Sequence, residues 1–372
     1  MLKLRRGVVT RRDPLTVLVA GEERRAWADE SLVGEVREGD KVIVNVETLD
    51  MGLGSGGFDV VHVNLTRGLD GRGGARGGAM KLNYTSVQHP VRPVEARPAA
   101  GRPFLEQPDD DPLGVTRAIP VLVVSLHGQL APAAWAAARA GSRLRVGYVQ
   151  TPGGALPGGL SRDVRRLREA GLLCGHITAG SAYGGELEAI TVIGALHAAA
   201  EKLDWDAVIA GPGPGIVGSE TALGHGGLAA LDTAHAALIL GLDTLVAPRM
   251  SSGDPRPRHR GISHHTRTVL RMLLGNVRVP APASQPTPWR RIGDDVPLEE
   301  LREACGERHE VWVRPAPVDE YARSGLSTTT MGRELAEDRL FFAAALAAGD
   351  ALAATAAAPA EVAAPDDPGA SW

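Results

Sequence analysis

The stretch AVIAGPGPGIVGSETALGHGGLAALDTAHAALILG (residues 207–241), continued by LDTLVAPRMSSGDPRPRHRGISHHTR (residues 242–267), decides the fold. An apolar run at 207–210 breaks into Gly211, Gly213, Gly215 and Gly218, and a long helix of small residues is expected after it. A second apolar run, 245–247, ends in a loop with Ser251, Asp254, Arg256, Arg258, His259, Arg260, Ser263, His264 and His265. Short apolar runs closed by glycine read as buried strands, and strand, loop, helix, strand in succession builds a parallel sheet. Ligands in such folds sit outside the carboxyl ends of the strands.

The same alternation extends toward the N-terminus. Strands are expected at 121–124, 144–149 and 172–178, with helices at 131–140 and 162–170. Ser161 N-caps the helix at 162 and Gly171 stops it. A further helix over 186–203 carries its acids in the first turn, which suits the helix dipole. Residues 1–95 differ: short β-branched runs at 7–10, 16–19, 42–44 and 60–65 alternate with turn signals. The fold class is therefore α/β, a parallel doubly wound sheet preceded by a small N-terminal β-barrel or β-sandwich domain. The boundaries expected are a β-rich domain at 1–95, a Pro-, Arg- and Asp-rich linker at 96–116, an α/β ligand-binding domain at 117–349 and a disordered tail at 350–372. A last helix is expected to open at Met331 and run through Ala348. The glycines between 52 and 57 read as a wide turn or a ligand-wrapping loop.

Composition narrows the function classes. The chain has 372 residues, 44% apolar and 23% charged, with a formal net charge of −4, so nucleic acid is not expected as a partner. Two cysteines, Cys174 and Cys305, make no disulfide scaffold. The start lacks a signal-peptide core, and no apolar run is read as a membrane helix, so a cytoplasmic location without membrane contact is expected. The alanine-rich helices either cover the sheet or form a homo-oligomer interface.

Four strand-end loops hold glycine or small polar residues, and in a parallel sheet all four lie on one edge. Gly153 and Gly154, Gly184 and Gly185, and the 211–218 glycines let backbone N–H groups approach an anion. Glu186 is a site candidate beside Gly185, with Glu188 as the alternative. Gly213-x-Gly215-x-x-Gly218 matches the dinucleotide fingerprint formally, but Pro212 and Pro214 remove donors and no acid closes the next strand. Arg256, Arg258 and Arg260 suit a phosphate or carboxylate clamp, with Ser263 both capping the next helix and facing the anion. Asp254, His259, His264 and His265 are the candidate acids and bases. His225, Asp232 and His235, read as one helix face, are the candidate ligands of a divalent metal, or else make structural hydrogen bonds.

The strings GPGPGIVGSETALGHGGLAALD, DPRPRHRGISHHT, TMGRELAEDRLFFAAALAAG, VQTPGGALPGGLS, AYGGELEA and LGSGGFDVVHVNL resemble a bacterial family, domain of unknown function 3866. The resemblance spans nearly the whole chain and implies one inherited architecture that includes the N-terminal barrel. It carries no catalytic assignment. Gln150-Thr151-Pro152 stands where the resemblance implies Thr-Asp, so that loop lacks a carboxylate. The residues together lead us to expect an enzyme, a hydrolase or transferase, acting on a small anionic substrate, phosphorylated or nucleotide-like. The alternative is a non-catalytic metabolite-binding or regulatory protein whose β-domain contacts a partner.

Overall fold

A computed structural model describes residues 1–53, 56–71, 78–96, 115–141, 143–219, 221–283 and 296–358. The first five strands are β1 (Leu4–Arg12), β2 (Leu15–Val19), β3 (Glu22–Trp27), β4 (Lys41–Asn45) and β5 (Asp59–Asn64), with short helices α1 (Glu30–Val33) before β4 and α2 (Glu47–Asp50) after it. They close into a barrel in the order β1-β2-β3-β5-β4, with β4 returning to β1 and only the β3–β5 pair parallel. This is the connectivity of an OB-type Greek-key barrel. Its interior is valine: Val9, Val17, Val19, Val42, Val44 and Val61. β3 does not read as a strand because EERRAW turns charge outward. Arg24 nevertheless ties it to β5 through the buried Asp59 carboxylate at 2.6 Å.

The closed barrel ends with β5. The hairpin of β6 (Ala79–Lys81) and β7 (His89–Val91) packs on the α/β body instead. Lys81 Nζ donates to Thr178 O at 2.8 Å and pairs with Glu188 at 2.5 Å. Glu95 Oε1 accepts the Ile190 and Thr191 amides at 2.7 and 3.1 Å. Burying Lys81 is tolerable only with this full set of acceptors. Most of the expected linker, and residues 54–55 of the glycine loop, lie outside the described residues.

The body follows, strand alternating with helix except where β11 succeeds β10: β8 (Val121–Val123), α3 (Leu130–Ala140), β9 (Val146–Thr151), α4 (Arg162–Glu169), β10 (Gly175–Ala179), β11 (Leu187–Ala189), α5 (Val192–Glu201), β12 (Ala207–Pro212), α6 (Ala229–Ile239) and β13 (Thr244–Val246). A small antiparallel pair, β14 (Met250–Ser251) and β15 (Gly261–Ile262), precedes α7 (His264–Met272), β16 (Arg278–Pro282), α8 (Leu298–Cys305) and β17 (Glu310–Arg314). The eight-stranded sheet runs β11-β10-β9-β12-β8-β13-β16-β17, parallel throughout. Connections turn one way after β8 and β9 and the other way after β12 and β13. The crevice opened by that reversal is the switch point where α/β folds hold ligands. α5 to α8 cover one face, through Leu196, Ala234, Val269 and Leu301. α3, α4 and the C-terminal helix α10 (Arg339–Ala357) cover the other, through Leu130, Ala134, Leu167 and Leu352.

Two expectations about helices fail. The acidic start of 186–203 is an edge strand, β11, parallel to β10, and helix begins only at Val192 behind the Thr191 cap. After α9 (Val318–Tyr321), Met331 and Gly332 form the turn of a hairpin between β18 (Thr329–Thr330) and β19 (Arg333–Glu334). Both turn residues have positive φ, 47° and 76°, the signature of a two-residue hairpin turn. The last helix, α10 (Arg339–Ala357), starts later and runs further than expected. Residues 350–357, expected in a disordered tail, are helical because an alanine face packs on α3; a Cβ at Gly349 would run into the Ala133 carbonyl. Residues 359–372 lie outside the described residues. With 19 residues, α10 is long and apolar enough to cross a membrane, contrary to the sequence reading, but it is mostly buried within the fold.

Candidate functional site

The end of β13 is stitched to the start of α7. The Arg249 amide donates to Thr266 Oγ1 at 2.8 Å, and the Arg249 carbonyl accepts the Ser263 amide at 2.9 Å. Ser263 caps α7 as expected, accepting the His265 amide at 3.2 Å. These bonds set His264 and His265 beside the Arg249 side chain. The intervening loop folds back through β14 and β15 and buries His259, whose Nδ1 lies 2.8 Å from Ser263 Oγ.

His225 arrives from the other side. It does not lie on α6. The chain after β12 makes a tight turn, with Gly218 bridged to His225 and the Gly226 amide donating to Val217 O at 2.8 Å. A single 3-10 turn, Gly226–Leu228, then leads into the helix. The His225 ring stacks on His265 with centroids 3.6 Å apart, and meets His264 edge-on at 5.6 Å. His259 lies 4.9 Å from both His264 and His265. Four imidazoles from two strand-end loops thus share one place.

Arg249 is buried at their side. Its NH1 donates to His265 Nδ1 at 3.2 Å and its NH2 to Asp254 at 3.1 Å. Its Nε is buried without a partner, and both ring nitrogens of His225 are likewise shut from solvent without one. Asp254 is the hub of this corner. It takes Arg256 through Nε and NH2, both at 2.9 Å, and the Arg256 amide at 3.0 Å. Ser251 Oγ accepts the Asp254 amide and donates to Asp338, which also binds Arg333.

Charge in this site follows burial. Burial works to raise the Asp254 pKa, but the Arg256 hydrogen bonds and the Arg256 and Arg249 charges outweigh it and hold the carboxyl far below the usual range. Asp254 is therefore ionised. Burial, then the charges of Arg249 and Arg256, lowers His259 to about 3. Burial, then His225 and Arg249, lowers His265 to about 2. His264 is lowered by burial, then by His225 and Arg258. His225 is also lowered, by burial first and by Arg249, although the nearby Ala222 carbonyl favours its charged form without a properly formed hydrogen bond. All four rings are neutral at pH 7, the form that accepts a proton or ligates a metal.

The other candidate residues are placed differently. Asp232 is exposed on α6, and His235 Nε2 accepts the Leu274 amide at 3.1 Å, so neither joins His225. Among the described residues, His264 and His265 join it instead. Arg256 and Arg260 are committed to Asp254, the latter through Nε to its carbonyl at 2.9 Å, while Arg258 is exposed. Gly153, Gly154 and Gly213 serve loop packing: a Cβ at Gly153 would meet Gly226 O, one at Gly154 would meet Gly213 O, and one at Gly213 would meet Ala155 O. Gly211 lies against Val124, and Gly215 makes its turn at φ 73°. The Gly184 and Gly185 amides are taken by Glu188 at 2.6 Å and Thr178 at 3.1 Å. Glu186 pairs with Arg168 on the surface at 2.6 Å.

Sequence reasoning missed Arg249, Asp338 and Met331, whose Sδ lies 3.4 Å from Arg249 NH2. It also missed the network below the loops. There His127 Nε2 lies 2.7 Å from Ser161 Oγ, Tyr148 donates to the Gly211 and Pro212 carbonyls at 3.0 Å, and His176 Nε2 meets Gln150 at 3.2 Å. The signal was polar residues inside two of the strands, Tyr148 and Gln150 in β9 and His176 in β10.

The model of the family described as protein of unknown function (DUF3866) matches residues 25–349, and the chain belongs to that family. Comparisons with curated proteins and with solved structures find no match.

Proposed function

We propose that this member of the DUF3866 family is a cytoplasmic enzyme, a hydrolase or group transferase, that takes a small anionic substrate at the carboxyl edge of its parallel sheet. The substrate class is a phosphorylated or nucleotide-like compound. One observation carries the reading: the buried Arg249 guanidinium keeps an unpartnered Nε–H beside four neutral imidazoles. A buried donor left unpaired costs about 1–3 kcal/mol, which an anionic oxygen would recover. A guanidinium also matches phosphate oxygens in geometry and charge.

Arg249 is the anion anchor in this reading, and exposed Arg258 draws the ligand toward the crevice. His259, oriented by Ser263, is the base that accepts a proton from the attacking water or hydroxyl. Asp254 fixes Arg249 and stays ionised. The test is incubation with a panel of phosphate monoesters and nucleotides, followed by melting temperature and by phosphorus NMR of the ligand. A compound that raises the melting temperature and is turned over, with turnover lost in His259→Gln, supports the enzyme. A ligand that binds and is recovered unchanged overturns it in favour of a metabolite-binding protein.

A further inference from the structure

We infer that His225, His264 and His265 form a binding site for one divalent transition-metal ion of the zinc or cobalt type. The inference deepens the proposed function and rests on it in one respect, since the ion would occupy the same crevice.

The three residues each offer one ring nitrogen, and these atoms lie within 4.8 Å of one another. Three further features distinguish the group from a packed aromatic cluster. First, both His225 nitrogens are buried without a partner, whereas a structural histidine is ordinarily fixed by at least one hydrogen bond. Second, Gly227 leaves space beside a nitrogen of each of two rings. A Cβ there would lie 3.1 Å from His225 Nδ1 and 3.3 Å from His265 Nδ1. Third, the inward lone pair of His265 is at Nδ1, where an Arg249 N–H now sits at 3.2 Å. A metal taking that lone pair needs no proton removed from His265, and it frees one guanidinium N–H for the anion.

The donor set chooses the ion. Three imidazoles and no carboxylate suit zinc, cobalt, nickel or copper and not magnesium or calcium. A tetrahedral zinc at about 2.1 Å from each nitrogen needs them about 3.4 Å apart. The ring nitrogens lie within 4.8 Å of one another, so binding requires side-chain rotation that draws them together and turns the stacked His225 and His265 rings out of parallel. The backbone of His264 and His265 is fixed by the first turn of α7. Three protein ligands leave a fourth position for water or an anionic oxygen, the arrangement of catalytic rather than structural zinc. The ion and Arg249 together place two kinds of positive charge in one crevice. That combination calls for the anionic substrate already proposed.

The test is cobalt loading of the full chain, followed by exhaustive dialysis, metal analysis and visible absorption. About one cobalt per chain is expected, with the absorption of a four-coordinate imidazole site. His225→Gln is expected to lower retained cobalt at least about tenfold, and His264→Gln, at a half-exposed position, does the same where His225→Gln does not fold. Wild-type protein that retains no cobalt overturns the inference. So does a folded His225→Gln or His264→Gln variant that retains the full load. Inorganic phosphate, added to metal-free protein in a thermal melt, separates the two claims. A phosphate shift without cobalt binding leaves the anion site standing and removes the metal; cobalt binding with no phosphate shift does the reverse.

Discussion

Asp254 is held in the crevice by its ion pairs with Arg249 and Arg256. Its setting among arginines and histidines made it a candidate acid or base. Removing one partner of a buried ion pair leaves the other charge unsolvated, at about 3–5 kcal/mol. Asp254→Ala is therefore expected to lower stability by about that amount in urea titration, through the stranded Arg249. A loss below about 1 kcal/mol would mean that the pair is solvated and that Arg249 is not held as described. Arg249 itself was not legible, because an arginine just past an apolar strand reads as surface punctuation. Only the return of the chain through β15 and α7 buries it. His225 was legible as a candidate ligand but its neighbours were not, since His264 and His265 reach it only through a helix and a strand of intervening fold.

At the scale of elements, the glycines divide by what surrounds them. Gly153, Gly154, Gly213 and Gly226 bring the loops after β9 and β12 into backbone contact, and this contact positions His225. Gly226→Ala would drive a Cβ into the Gly153 carbonyl, where overpacking costs about 1–3 kcal/mol or more. Gly159 has nothing within 4 Å of its Cβ position, so Gly159→Ala is expected to stay within about 0.5 kcal/mol. Denaturant melts of the pair check the contrast; equal effects would remove the packing role. Strand and glycine signals were enough to place these loops at the carboxyl edge of the sheet, but a glycine that admits a phosphate and one that admits a neighbouring carbonyl look the same in one dimension. The helix boundaries failed for a related reason. Met331-Gly332 and Leu187-Glu188-Ala189 suit helix and strand locally, and hairpin or sheet-edge pairing decides between them.

At the scale of the molecule, the barrel and the parallel sheet were legible from period and punctuation, while the strand order was not, because apolar runs do not state their neighbours. The buried network under the crevice makes the stability of the fold depend on acid. Burial first, then the charges of His127 and Arg168, lowers His176 to about 3. The unfolded chain then binds a proton that the folded one refuses between that value and about 6.5. Stability from this group is complete above pH 6.5 and falls as pH drops, by about 1.4 kcal/mol per unit. His176→Phe keeps the ring stacked near Tyr148 and should reduce the loss between pH 7 and pH 5 by about 2 kcal/mol; an unchanged pH profile would place His176 in contact with solvent. The central claim concerns where an anion binds, and a crystal soaked in tungstate tests it most directly. The expected result is an anomalous peak in the crevice, with an oxygen within hydrogen-bonding distance of Arg249 Nε and the His225, His264 and His265 rings around it. Tungstate found only on other surfaces, with Arg249 Nε still unpartnered, would contradict it.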